Sequence, residues 1–83
     1  MTASTDEPVL RMYTVYRDPI DLPGVRWAVR EFVISSRGNG PQAARLLGTA
    51  ITLELARLLI PDGADVCIAR SPDDDPVIVE TWI

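Results

Sequence analysis

The sequence predicts an α+β domain of order β-β-α-β-β, a four-stranded antiparallel sheet with one helix packed on one face. Three observations point there. Two stretches in the first half alternate with the two-residue period of a strand. One segment ending at Ile60 repeats its leucines at helical spacing. Two short strand-like runs come after it, the last of them rich in β-branched residues. At 83 residues the chain has the size of one domain, and such a chain buries only roughly 60% of the surface its unfolded form exposes. The expected division is a disordered tail over 1–8 and a single domain over 9–83.

Val9 to Tyr16 is the first strand, with Leu10, Met12, Thr14 and Tyr16 on one face and Val9, Arg11, Tyr13 and Val15 on the other. Asp18-Pro19, Asp21 and Pro23-Gly24 form a turn cluster. Val25 to Ser35 is the second strand, with Trp27 and Val29 opposite Arg26 and Arg30. Its alternation slips at Glu31, which calls for either a β-bulge or a sheet with two partly covered faces. Ser36 to Pro41 reads as a flexible loop. The helix is next, with Thr52 as N-cap and Pro61-Asp62-Gly63 as its stop. Its start lies near Pro41 or near Thr52, because Ala44, Leu47, Ile51 and Leu55 also fit helical spacing, although Gly48 weakens the longer version by about 1 kcal/mol. Trp27 and Val29 are expected to pack against Leu55, Leu58 and Leu59. Asp65 to Arg70 and Val77 to Ile83 are the last two strands, joined by the turn Ser71 to Pro76.

The composition argues against catalysis. There is no histidine and no lysine, so all eight basic residues are arginines, and there is one cysteine. That removes the Ser-His-Asp and Cys-His pairs, imidazole metal clusters and Schiff-base lysines. Arginine binds anions but does not shuttle protons. Cys67, alone in an apolar run, reads as a small buried hydrophobe. No metal site and no cofactor are expected. The Asp73-Asp74-Asp75 run lacks the spaced oxygen ligands, the glycine and the distal carboxylate of a calcium loop, and reads as a solvated turn. The N-terminal residues lack the pattern of a signal peptide, and no apolar stretch reaches the ~20 residues of a membrane span, so a cytoplasmic location is expected. A net charge of −4 disfavours nucleic acid or an anionic membrane as partner.

The β-β-α-β-β order also places charge. A helix antiparallel to its neighbouring strands brings Asp62 and Asp65 to the same sheet end as Asp18 and Asp21, and the helix C-terminus adds partial negative charge there. These four are the primary candidates for contact with a partner. Asp73, Asp74 and Asp75 are expected at the opposite end near Arg37 and Arg45, and with Glu80 they are secondary candidates. Arg26 and Arg30 share a face, Arg11 joins them across the hairpin, and pairing with Glu31 or Glu80 is their expected role.

Met12-Tyr13-Thr14-Val15-Tyr16 with Asp18-Pro19, Thr52-Leu53-Glu54 through Ile60-Pro61, and Asp74-Asp75-Pro76-Val77-Ile78-Val79-Glu80-Thr81-Trp82 resemble small proteins of proteobacteria and their phages. That resemblance spans most of residues 12–83 and carries no activity with it. As a small acidic chain without catalytic residues, it also resembles, at the level of class, the anti-CRISPR inhibitors of phages. This second resemblance implies a stoichiometric inhibitor that occupies a surface of a bacterial defence complex, with carboxylates in place of phosphates. The alternative is a structural or accessory homodimer that assembles through its sheet.

Overall fold

The computed structural model describes residues 9–35 and 41–83, and the order it shows is β-β-β-α-β-β. The elements are β1 (Val9–Arg17), β2 (Trp27–Ser35), β3 (Pro41–Ala50), α1 (Leu53–Arg57), β4 (Cys67–Ala69) and β5 (Ile78–Trp82). They form one five-stranded sheet in the order β3-β2-β1-β5-β4, with every neighbouring pair antiparallel. The α+β class holds. The strand count of four is corrected to five, because residues 41–50 extend the sheet instead of lengthening the helix. The expected tail over 1–8 and most of the expected loop over 36–41 lie outside the described residues.

The fifth strand overrides local preference. Gln42, Ala43, Ala44, Arg45, Leu46 and Leu47 all favour helix or tolerate it well. A helix there would leave one side of the nine-residue β2 without ladder partners, and buried backbone groups require them. Pairing runs from Trp27–Ala50 to Ile34–Pro41, with register shifts between Val29 and Arg30 and between Glu31 and Val33. The irregularity expected near Arg30 and Glu31 therefore falls on the β2–β3 ladder. The β1–β2 ladder is regular throughout, so Phe32 and Ile34 stay on the Arg30 side and the sheet has apolar residues on both faces.

One face is covered by α1 and the turns beyond it. Across the strands run two rows: Arg45, Glu31, Tyr13, Trp82 and Cys67, then Gly48, Val29, Val15, Glu80 and Ala69. Tyr13, Val15, Val29 and Ala56 form the buried core, with Leu53, Leu59 and Ile60 packed against it. A Cβ on Gly48 would stand 3.1 Å from both Leu59 methyls, so this glycine makes room for Leu59 to lie on β3.

The short version of the helix is the one formed. The Thr52 hydroxyl accepts the Leu55 amide at 3.1 Å, and Glu54 and Arg57 sit at the ends that suit their charges. Leu59 and Ile60 then bond back to the carbonyls of Ala56 and Arg57, and Gly63 (φ 101°) turns the chain beyond Pro61. The expected buried stripe is corrected. Leu55 and Leu58 point outward, 45% and 78% exposed, while Ala56 is fully buried and Leu59 alone of the three leucines packs inward. Ala56→Leu is expected to overpack this contact and cost about 1–3 kcal/mol. Leu58→Ala should stay within ~0.5 kcal/mol of the parent. Urea midpoints distinguish the two, and equal midpoints would mean that the helix docks by another side.

Candidate functional site

The added strand β3 reverses the direction of the chain through its C-terminal half. β5 runs antiparallel to β1, with Ile78 beside Tyr16 and Trp82 beside Tyr13, and β4 returns along β5. The turn over residues 70–77 therefore reaches the sheet end that carries the β1–β2 loop, and the Arg17 amide bonds the Val77 carbonyl there at 2.8 Å. Asp73, Asp74 and Asp75 thus join Asp18 and Asp21 at one loop end. The expected grouping of Asp62 and Asp65 with Asp18 and Asp21 is corrected. Asp62 and Asp65 instead line a recess of about 140 Å³ with Arg57 and Trp82, nearer the middle of the sheet. Arg45 pairs with Glu31 away from the triplet, and Arg37 lies outside the described residues.

At the loop end, Asp18 adopts a left-handed conformation (φ 50°), which an aspartate tolerates better than most residues. Its amide bonds the Arg26 carbonyl at 2.7 Å, and its carboxylate lies 3.6 Å from the Arg26 guanidinium. Asp21 accepts from Arg30, which holds the Asp21 carboxyl below its ordinary pKa. Arg30 also lies over the Tyr16 ring, 5.4 Å from its centre. In the second turn, the Asp74 carboxylate accepts the Ser71 amide at 2.8 Å and that of Asp75 the Val77 amide at 3.1 Å, while Arg70 holds the Asp74 carbonyl. Among the described residues, no ion pair engages Asp73, Asp74 or Asp75. Five aspartates and the four arginines Arg17, Arg26, Arg30 and Arg70 share this end, which leaves one surplus negative charge.

Two carboxylates sit on the covered face. The expected pairing of Arg11 with Glu31 is present, whereas Arg26 and Arg30 pair with Asp18 and Asp21. The sequence did not point to Arg45 or Arg57. Glu31, 8% exposed, lies between Arg11 at 3.6 Å and Arg45 at 3.4 Å. Glu80, 6% exposed, is held by Arg57 through two bonds, from Nε at 2.9 Å and Nη2 at 2.7 Å, and by the Trp82 indole at 2.6 Å. Glu80 is therefore no surface contact, and its place among the partner-binding candidates is corrected. Arg11 stands on the Glu31 side of the sheet, opposite Arg30, so the expected three-arginine face does not form. Alternation was the available signal: it puts Glu31 on the face of Trp27 and Val29, where a carboxylate requires a cation.

Burial, then the Glu31 carboxylate, raises the Tyr13 hydroxyl above its ordinary pKa. Cys67 is corrected from buried to exposed, on the edge strand. Partial desolvation and the nearby Glu80 hold its thiol above the ordinary value, which favours the unreactive protonated form. Among the described residues, no group of three or more His, Cys, Asp or Glu residues has the arrangement of a metal site, and no helix is long and apolar enough to cross a membrane. Comparison with known protein families, with curated proteins and with solved structures returned no match.

The Arg57 bonds, opposed by burial and aided by Trp82, hold the Glu80 carboxyl below its ordinary value of 4.5. A carboxyl depressed in the folded state contributes stability above its unfolded pKa and loses that contribution as pH falls through the folded value. The parent should therefore unfold at lower urea below about pH 4.5, and Glu80→Gln should remove that part of the slope. Arg57→Ala leaves Glu80 buried and unpaired. With Arg57 itself 43% exposed, the expected cost is about 1–3 kcal/mol, less than for a wholly buried pair. An Arg57→Ala variant as stable as the parent at pH 7 would show that Trp82 and solvent satisfy Glu80 without it.

Proposed function

We propose that this chain is a non-catalytic protein-binding module, and more finely a phage-type inhibitor that occupies the nucleic-acid-binding surface of a bacterial defence complex. The observation that supports this reading is the Asp73-Asp74-Asp75 turn. It presents three exposed carboxylates on a backbone fixed by its own hydrogen bonds, beside the loop that carries Asp18 and Asp21. A preformed acidic turn loses little freedom on meeting a basic groove, and it steers encounter by charge. Asp18 and Asp21 contribute less to such a surface, because Arg26 and Arg30 offset them. In this reading the buried carboxylates are structural, the chain works without metal or cofactor, and its partner is a protein in the bacterial cytoplasm.

The purified chain, immobilised and incubated with a bacterial lysate, is expected to retain an RNA-guided or DNA-binding defence complex at low salt and release it as salt rises, since exposed charge pairs are screened. Replacing Asp73, Asp74 and Asp75 together by Asn should abolish capture with the fold intact. The same change at Asp62 and Asp65 should not. Recovery of the chain alone, or capture indifferent to both salt and the triplet, would overturn the inhibitor reading.

A further inference from the structure

Among the described residues, no helix lies on the second face of the sheet. Along it run Leu46, Arg30, Thr14, Thr81 and Ile68 in one row, with Tyr16 beside Ile78 in the next. Leu10, Leu46, Val66 and Ile68, four of the large apolar residues open to solvent among those described, lie on this face at 44–55% exposure. Met12, Phe32, Tyr16 and Ile78 border a shallow groove of about 210 Å³ at its centre. The central charge, Arg30, is 23% exposed at its side chain and already matched by Asp21.

We propose that this face is a self-docking surface on which a second copy of the chain packs sheet against sheet. Area and charge select that occupant. Three strands of nine or ten residues and two short ones, at about 3.3 Å per residue and 4.8 Å between strands, project roughly 550 Å². Two such faces together cover roughly 1,100 Å², above the roughly 1,000 Å² that a specific interface needs. A second copy supplies an equally apolar face, and Arg30, the charge at its centre, carries its own counterion, while Asp74 borders the groove only from the loop end. Two twisted sheets stack about 10 Å apart with strands inclined near 30°. The contact is isologous, so it closes at two copies with the helices outermost. The inference goes beyond the inhibitor reading: Asp73 and Asp75 lie at the loop end and Asp74 only borders the groove, so the dimer leaves most of the triplet accessible.

Sedimentation equilibrium of the full chain tests it. The expected result is twice the chain mass, with dissociation in the range of about 1–100 μM for an interface at the lower end of the standard size. The double variant Leu10→Glu/Ile68→Glu changes exposed positions and should keep its far-ultraviolet circular dichroism while weakening association by at least about tenfold. Ile51→Glu/Leu58→Glu, at exposed positions flanking the helix, should leave association unchanged. A chain that stays monomeric up to about 1 mM (a free energy near −4 kcal/mol) would overturn the proposal. So would association lost in the helix variant but kept in the face variant. A dimer kept in the face variant but lost in Ala69→Pro, which removes an amide directed away from β5, would overturn it in favour of pairing between β4 edges.

Discussion

A carboxylate on the wrong side of a strand organises this fold. Glu80 belongs to β5, which lies between β1 and β4, and alternation turns its side chain toward the core. An ionised group so placed requires a counterion and filled hydrogen-bonding positions. Arg57 supplies both from the end of α1, and Trp82 completes the set from two residues along β5. A five-residue helix has little stability of its own. This one is held on opposite sides, by Ala56 against the β2–β3 half of the sheet and by Arg57 against β5. The path of the chain across the covered face results from that double attachment.

Much of the fold was legible in the sequence where a single physical signal acted alone. The alternation of Val9 to Tyr16 gave the correct faces of β1, and Thr52 and Pro61 marked the helix because capping and ring closure are local effects. Residues 41–50 were illegible for the opposite reason. Their side chains suit a helix, and only the unpaired outer side of β2, a non-local demand, makes them a strand. That single displacement reversed the last hairpin. It separated Asp62 and Asp65 from Asp18 and Asp21 and carried Asp73, Asp74 and Asp75 to the other end. The misplacement of Leu55 and Leu58 has the same root, since the inward side of a short helix is set by what it crosses. Gly48 would be a weak point in a helix, whereas in the sheet its missing side chain admits Leu59.

The exclusive use of arginine takes on meaning in this network. Glu31 takes two guanidinium groups and Glu80 receives a two-point bond, while Asp18 and Asp21 each face a guanidinium of β2 or its approach. A planar fork presents two parallel donors to the two oxygens of one carboxylate, a fixed geometry that the rotating ammonium of a lysine lacks. The ionic pairs at the strands thus serve as structure, and most of the described carboxylates outside those pairs lie in turns and loops. A positively charged partner would meet a surface in which position, more than total charge, decides contact.

The strand order β3-β2-β1-β5-β4 has a consequence for assembly in time. β1 occupies the middle of the sheet, and its second neighbour is β5, so that Thr14 meets Thr81 across a separation of 67 residues. The β1–β2–β3 meander forms from nearby pieces, but its inner edge stays open until the far end of the chain arrives. Contacts of such long range slow folding, because a large loop must close before any bond rewards it. Until residues 78–82 are made, a nascent chain has no partner for that side of β1, and the free strand edge must avoid other chains.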